Sequence, residues 1–151
     1  MMMHSGISPI VENLWIGGFP DAATVQYFDK LILCAAEHQP DSSLFPGVHV
    51  LHAPLSPTLA TLEEVRSAVQ AGRAVATWIR NGKKVLVSDA LGLNRSALIA
   101  ASALMTRSIP ADQAIEMIRS ARGAHALLNP HFVDLLGRLG ETRAFHVIAS
   151  P

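Results

Sequence analysis

Residues 85–106 place a short apolar strand, a glycine-bearing loop and an apolar helix in direct succession, and few folds present a loop in this way. Val85-Leu86-Val87 reads as a buried strand, and Ala97 to Ala101 with Leu104 and Met105 reads as a buried helix. Between them Gly92 lets the backbone curl tightly, and Arg95 stands at the helix start. A loop of this kind turns successive N–H groups, together with the positive end of the helix, toward one point. An arginine there adds a planar fork suited to phosphate oxygens. The pattern predicts an oxyanion cradle, and Asp89 puts an acid inside it.

The surrounding elements predict an α/β fold, a sheet wrapped by helices in one domain. Leu14-Trp-Ile-Gly-Gly reads as a strand stopped by glycines, Pro20 to Tyr27 as a first helix and Lys30 to Ala35 as the next strand. His38 to Ser43 is rich in turn formers, and Val48 to Leu55 reads as a strand ended by Pro54 and Pro57. Thr61-Leu-Glu-Glu64 has the form of a capping box, which leaves Glu63 to solvent. Val65, Val69, Gly72, Ala76 and Ile79 continue it at helical spacing, with Gly82 as the stop. After the strand 85–88 come helices over Arg95–Thr106, Pro110–Arg122 and Asn129–Leu139. Pro110 suits the first position of its helix and Gly123 the end. The core covers about 8–139, and 140–151 is a tail or a strand.

Charge narrows the partners. Lysine plus arginine equal aspartate plus glutamate at 12 each, so the chain offers no general field for nucleic acid or an anionic membrane. Cys34 is the single cysteine, in the apolar run Leu31-Ile-Leu-Cys-Ala, and reads as a buried structural thiol. Met1-Met-Met-His-Ser-Gly lacks the form of a signal peptide, and no apolar run reaches the ~18 residues of a spanning helix, so the expected location is cytoplasmic. His49 and His52 lie three apart on a strand, on opposite faces, and are not expected to share a metal. His125 and His131 flank Leu127-Leu128-Asn129 as candidate pocket walls. Trp15 and Trp78 read as anchors at the core or its edge. No metal site and no cofactor are expected.

With these pieces in order, the chain resembles the dual-specificity branch of the protein tyrosine phosphatases. The family loop, His-Cys-x-x-Gly-x-x-Arg-Ser/Thr, is matched by Ser88-Asp89-Ala-Leu-Gly92-Leu-Asn-Arg95-Ser96 at glycine, arginine and serine. Ile10-Val-Glu-Asn-Leu-Trp-Ile-Gly-Gly resembles the family's opening strand segment, Leu31-Ile-Leu-Cys-Ala-Ala-Glu its second strand, and Asn129-Pro-His-Phe the segment two helices beyond the loop. The resemblance implies a mostly parallel central sheet flanked by helices in a single compact domain. It also implies that Ala90, Leu91, Gly92, Leu93, Asn94 and Arg95 form the phosphate cradle, with Arg95 the clamp and Ser96 the hydroxyl partner. The nucleophile position holds Asp89 in place of cysteine, and Ser88 replaces the histidine. The general acid of the family would fall near Pro54-Leu-Ser-Pro57, where Ser56 and Pro57 have no acid to offer.

These substitutions imply a catalytically impaired protein, a pseudophosphatase that binds a phosphorylated partner or occupies a partner of an active phosphatase. The alternative is an active cysteine-dependent phosphatase represented by an inactive Asp89 substitution. A third reading is an interaction domain in which Asp89 takes the loop's own hydrogen bonds and pairs with Arg95. Asp89 as a nucleophile is disfavoured, because aspartyl-phosphate chemistry usually needs a metal held by further carboxylates and Ala90, Leu91 and Leu93 are apolar.

Overall fold

The computed structural model describes residues 6–59 and 61–142. Among these residues five strands, β1 (Ile7–Val11), β2 (Leu14–Gly17), β3 (Lys30–Ala35), β4 (His49–Leu55) and β5 (Val85–Ser88), form one sheet in the order β1-β2-β5-β3-β4. The β2–β5, β5–β3 and β3–β4 pairs are parallel, and β1 runs antiparallel to β2. The helices are α1 (Ala22–Val25), α2 (Leu62–Arg80), α3 (Arg95–Thr106), α4 (Ala111–Arg122) and α5 (Pro130–Glu141). The expected α/β fold, a mostly parallel sheet flanked by helices in one compact domain, is what forms.

Alternation along the strands divides the core. Ile32, Cys34, Val85 and Val87 face the large cluster beneath α2 to α5, whereas Leu31, Leu33 and Leu86 face a smaller one with Val25 and Phe28. Buried on both faces, β5 is wholly apolar until Ser88. Helix α3 is buried along almost its whole length, and its start at Arg95 is thereby fixed relative to the end of β5. The capping box is present: the Thr61 hydroxyl accepts from the Glu64 amide, and the Glu64 carboxylate accepts from the Thr61 amide.

Several boundaries differ from the expected ones. The first helix shrinks to four residues, with Asp21 capping it through the Thr24 amide. Strand β1, not expected, pairs with β2 across Glu12-Asn13, where Asn13 takes φ 70°. Pro54 does not end β4, because β4 is an edge strand and a missing donor on its open side costs nothing. Pro110 caps α4 one residue before its first turn. Asn129 caps α5 through the His131 amide, and the helix runs two residues past Leu139. The rest of the expected tail, 143–151, lies outside the described residues.

Candidate anion-binding site

The chain leaves β5 at Ser88, and hydrogen bonds tether the turn before the loop begins. Ser88 Oγ donates to Gly18 O at 3.0 Å, and the Asp89 amide donates to Gly17 O at 3.1 Å. Gly92 has φ 68°, and a side chain there would collide with the Gly17 backbone. Only glycine fits, because the left-handed conformation and the close approach coincide. From the other side Arg122 of α4 donates to Gly92 O at 3.1 Å and Leu91 O at 2.9 Å, and to Ser8 Oγ at 3.1 Å. Loss of water around this guanidinium lowers its pKa, partly countered by the Asp89 charge.

With the carbonyls held outward, the amides are left for the interior. Asp89 is 3% exposed, and its Oδ1 accepts from the Gly92 amide while Oδ2 accepts from the Ser96 amide at 2.9 Å. Among the described residues, the amides of Ala90, Leu91, Leu93, Asn94 and Arg95 have no acceptor. Asn94 occupies the N-cap position of α3 without capping it, because its side-chain oxygen accepts from the Asn129 amide at 3.2 Å. A recess of about 130 Å³ opens there, lined by Pro57, Asp89, Ala90, Leu91, Leu93, Asn94 and Arg95. A larger groove of about 460 Å³ between Met105, Ile109 and Gly140 has no lysine or arginine among the described residues that line it, and two acids, Asp112 and Glu141, are among them.

Arg95 does not pair with Asp89 as the self-closed reading expected. Its guanidinium forms a bidentate pair with Glu37, at 2.6 and 2.8 Å, and donates to Leu55 O at 3.0 Å. The helix start points this side chain across the end of β4 toward the segment after β3, so both members of the loop are satisfied by different partners. The Arg95 fork lowers the Glu37 carboxyl to about 2, and Glu37 in turn raises the Arg95 pKa. Burial, with the Asp89 charge second, pushes the Cys34 thiol well up, and its Sγ donates to Ser88 O at 3.2 Å. Cys34 is a neutral core thiol beneath the loop. Ser96 Oγ is buried and has no hydrogen-bond partner among the described residues.

The segment where the resemblance would put a general acid follows β4. Pro57 lines the recess, and the Ser56 amide donates to Glu64 Oε1. Bonds from Ser56 and Thr61 lower the Glu64 pKa, so Glu64 is a structural carboxylate. His49 contacts Lys30 and Trp78 while His52 contacts Gln39, so the pair shares no site. His125 and His131 are exposed. Among the described residues no group of three or more His, Cys, Asp or Glu could hold a metal, and no helix is long and apolar enough to cross a membrane. Glu37 and Arg122 were not among the expected site residues. Both reach the loop only through tertiary contacts, 58 and about 30 positions away in the chain.

The fold is similar to that of solved dual-specificity phosphatases. DUSP15 superposes with a TM-score of 0.81 at 19% identity, covering 97% of this chain and 96% of that one. Tk-PTP in its active form gives 0.77 at 23% identity, covering 92% and 99%. PTPMT1 in complex with PI(5)P gives 0.73 at 22%, covering 95% of this chain and 96% of that one. No family model matches the chain, and no curated protein matches it in sequence. The shared property is the fold.

Proposed function

We propose that this chain is a non-catalytic protein of the dual-specificity phosphatase fold that holds a phosphate group of a partner, most simply a phosphoprotein, without hydrolysing it. The observation that carries this reading is the division of the loop's donors. Asp89 takes the Gly92 and Ser96 amides where a nucleophile would stand, yet five further amides around the recess keep no acceptor. Asp89 is a poor nucleophile here, since among the described residues no second carboxylate lines the recess to hold a metal that would offset the approach of two anions. Neither Pro57 nor Ser56 can protonate a leaving oxygen near neutral pH, and Glu64 is held ionised by its amide bonds.

Binding is weakened but not forbidden. Like charges about 4 Å apart repel by roughly 4 kcal/mol at an effective dielectric of about 20. Several amide bonds to an anion, each worth about 1.5–3 kcal/mol, are of the size needed to offset that repulsion. One protein of this fold was solved with the phosphate-bearing lipid PI(5)P, which supports a phosphate as the ligand class. The test is calorimetric titration with phenyl phosphate alongside a phosphate-release assay. Saturable binding without release is expected, with at least about tenfold loss of affinity in Arg95→Ala, which removes the buried cation. Release above the protein-free control, or no saturable binding, overturns the reading.

A further inference from the structure

The buried carboxylate in the recess sets a condition on the ligand. We propose that the loop takes the singly protonated form of a phosphomonoester, with Asp89 accepting the ligand's O–H, and rejects the sulfate ester of the same shape and charge. This rests on the anion-binding reading above and specifies its ligand.

Asp89 lines the recess, and each of its oxygens already accepts one backbone amide. A carboxylate has about four lone-pair sites, so each oxygen retains capacity for one more donor. Among the described residues no side chain supplies it, because the one cation that lines the recess there, Arg95, is turned away to Glu37 and Leu55 O. An unprotonated phosphoryl or sulfuryl oxygen meets those lone pairs with lone pairs of its own. A P–OH oxygen meets them with a proton, in the short, charge-assisted geometry of an O–H···O⁻ bond. The remaining ligand oxygens then face the acceptor-less amides of residues 90, 91, 93, 94 and 95.

The charges around Asp89 favour the same state. Arg95 from α3 and Arg122 from α4 are matched by Asp89 itself and by Glu37 beyond β3, so the site has no net charge to draw in a dianion. Cys34 from β3 is a neutral thiol, and the chain at the end of β2 faces the loop with Gly17 and, just beyond the strand, Gly18. His38 lies beside Glu37, its ring tilted against that of Phe19 at 4.3 Å between centroids.

Phenyl phosphate and phenyl sulfate separate the possibilities. The first loses its second proton near pH 6, about as phosphorylated side chains do. The second is a monoanion without a proton throughout. Calorimetric affinities of the full chain for both esters are measured from pH 5 to 8. Phenyl phosphate is expected to bind at least about tenfold tighter than phenyl sulfate at pH 5, where the two carry nearly equal charge. Its affinity should then fall by about tenfold per unit above pH 6. The ratio of the two affinities cancels the effect of any protein group that acts through charge alone. Equal binding of the two esters at pH 5, or phenyl phosphate affinity that rises with pH, overturns the proposal while leaving an anion pocket. Failure of both esters to bind at every pH overturns the anion pocket as well. Asp89→Asn should abolish the preference, with phenyl sulfate gaining at least about tenfold. A preference that survives in a folded Asp89→Asn protein overturns the role of the carboxylate, and should this variant not fold, the wild-type ratio decides alone.

Discussion

Glu37 and Asp89 divide the donors of one loop: Glu37 takes the Arg95 side chain and Asp89 takes two amides. Glu37 titrates at about 2 when folded against about 4.5 ordinarily, because the Arg95 fork favours its charged form. A depressed carboxyl stabilises the fold above its unfolded pKa and loses that contribution as pH falls through the folded one. The stability gap between the parent and Glu37→Gln is therefore expected to be constant above pH about 5 and to close between about 4.5 and about 2. Since the Glu37 side chain is 51% exposed, the gap should stay within about 1 kcal/mol. Urea unfolding at a series of pH values measures it, and a gap that widens on acidification would contradict the assignment. At this scale the sequence was half legible. Asp89, Gly92 and Arg95 are read from local spacing, which also suggests that the acid and the arginine meet. Their true partners depend on where a helix start points a long side chain, and a pair 58 positions apart leaves no periodic trace.

Among the elements, those with a strong local rule were the ones read well. The capping box of α2, the apolar run of β5 and the buried length of α3 each follow from residues that touch within one element. Strand β1 was missed because Ser8 and Pro9 spoil its alternation, and only pairing with β2 makes it a strand. The α2–α3 contact gives a test at this scale. A methyl group added at Gly72 would stand 2.7 Å from Ser102 Oγ and 3.1 Å from the Ala103 amide nitrogen, inside the interior of a buried helix. Gly72→Ala gains up to about 1 kcal/mol in helix propensity, but overpacking against rigid backbone costs about 1–3 kcal/mol. Net destabilisation is expected in chemical denaturation, and stability equal to or above the parent would show that the two helices can part without cost. Because α3 carries Arg95 and Ser96, such a shift should also weaken anion binding.

The molecule as a whole has the fold of the dual-specificity phosphatases, and substituting in turn the two positions that its resemblance to them implies are catalytic, 89 and 56, distinguishes a lost enzyme from an inactivated one. Asp89→Cys would place a thiol at the end of β5, against the Gly92 and Ser96 amides and the start of α3, an environment that lowers a thiol pKa. The nucleophile is then competent, but protonation of the leaving oxygen is not provided for, since Pro57 lines the recess and Glu64 is committed to the Ser56 and Thr61 amides. Asp89→Cys should therefore hydrolyse p-nitrophenyl phosphate, whose leaving group needs no proton, and be slow on phenyl phosphate. General acid catalysis typically contributes about 10²–10⁴-fold. Adding Ser56→Asp should recover part of that, on the order of 10²-fold in kcat/KM for phenyl phosphate, while changing the p-nitrophenyl rate little. Rapid turnover of both esters by Asp89→Cys alone would mean that an acid is present after all. The chain would then be an active cysteine phosphatase carrying an inactive residue at position 89. Equal slowness on both esters, in a variant that still binds them, would instead place the defect in the loop's hold on the thiol.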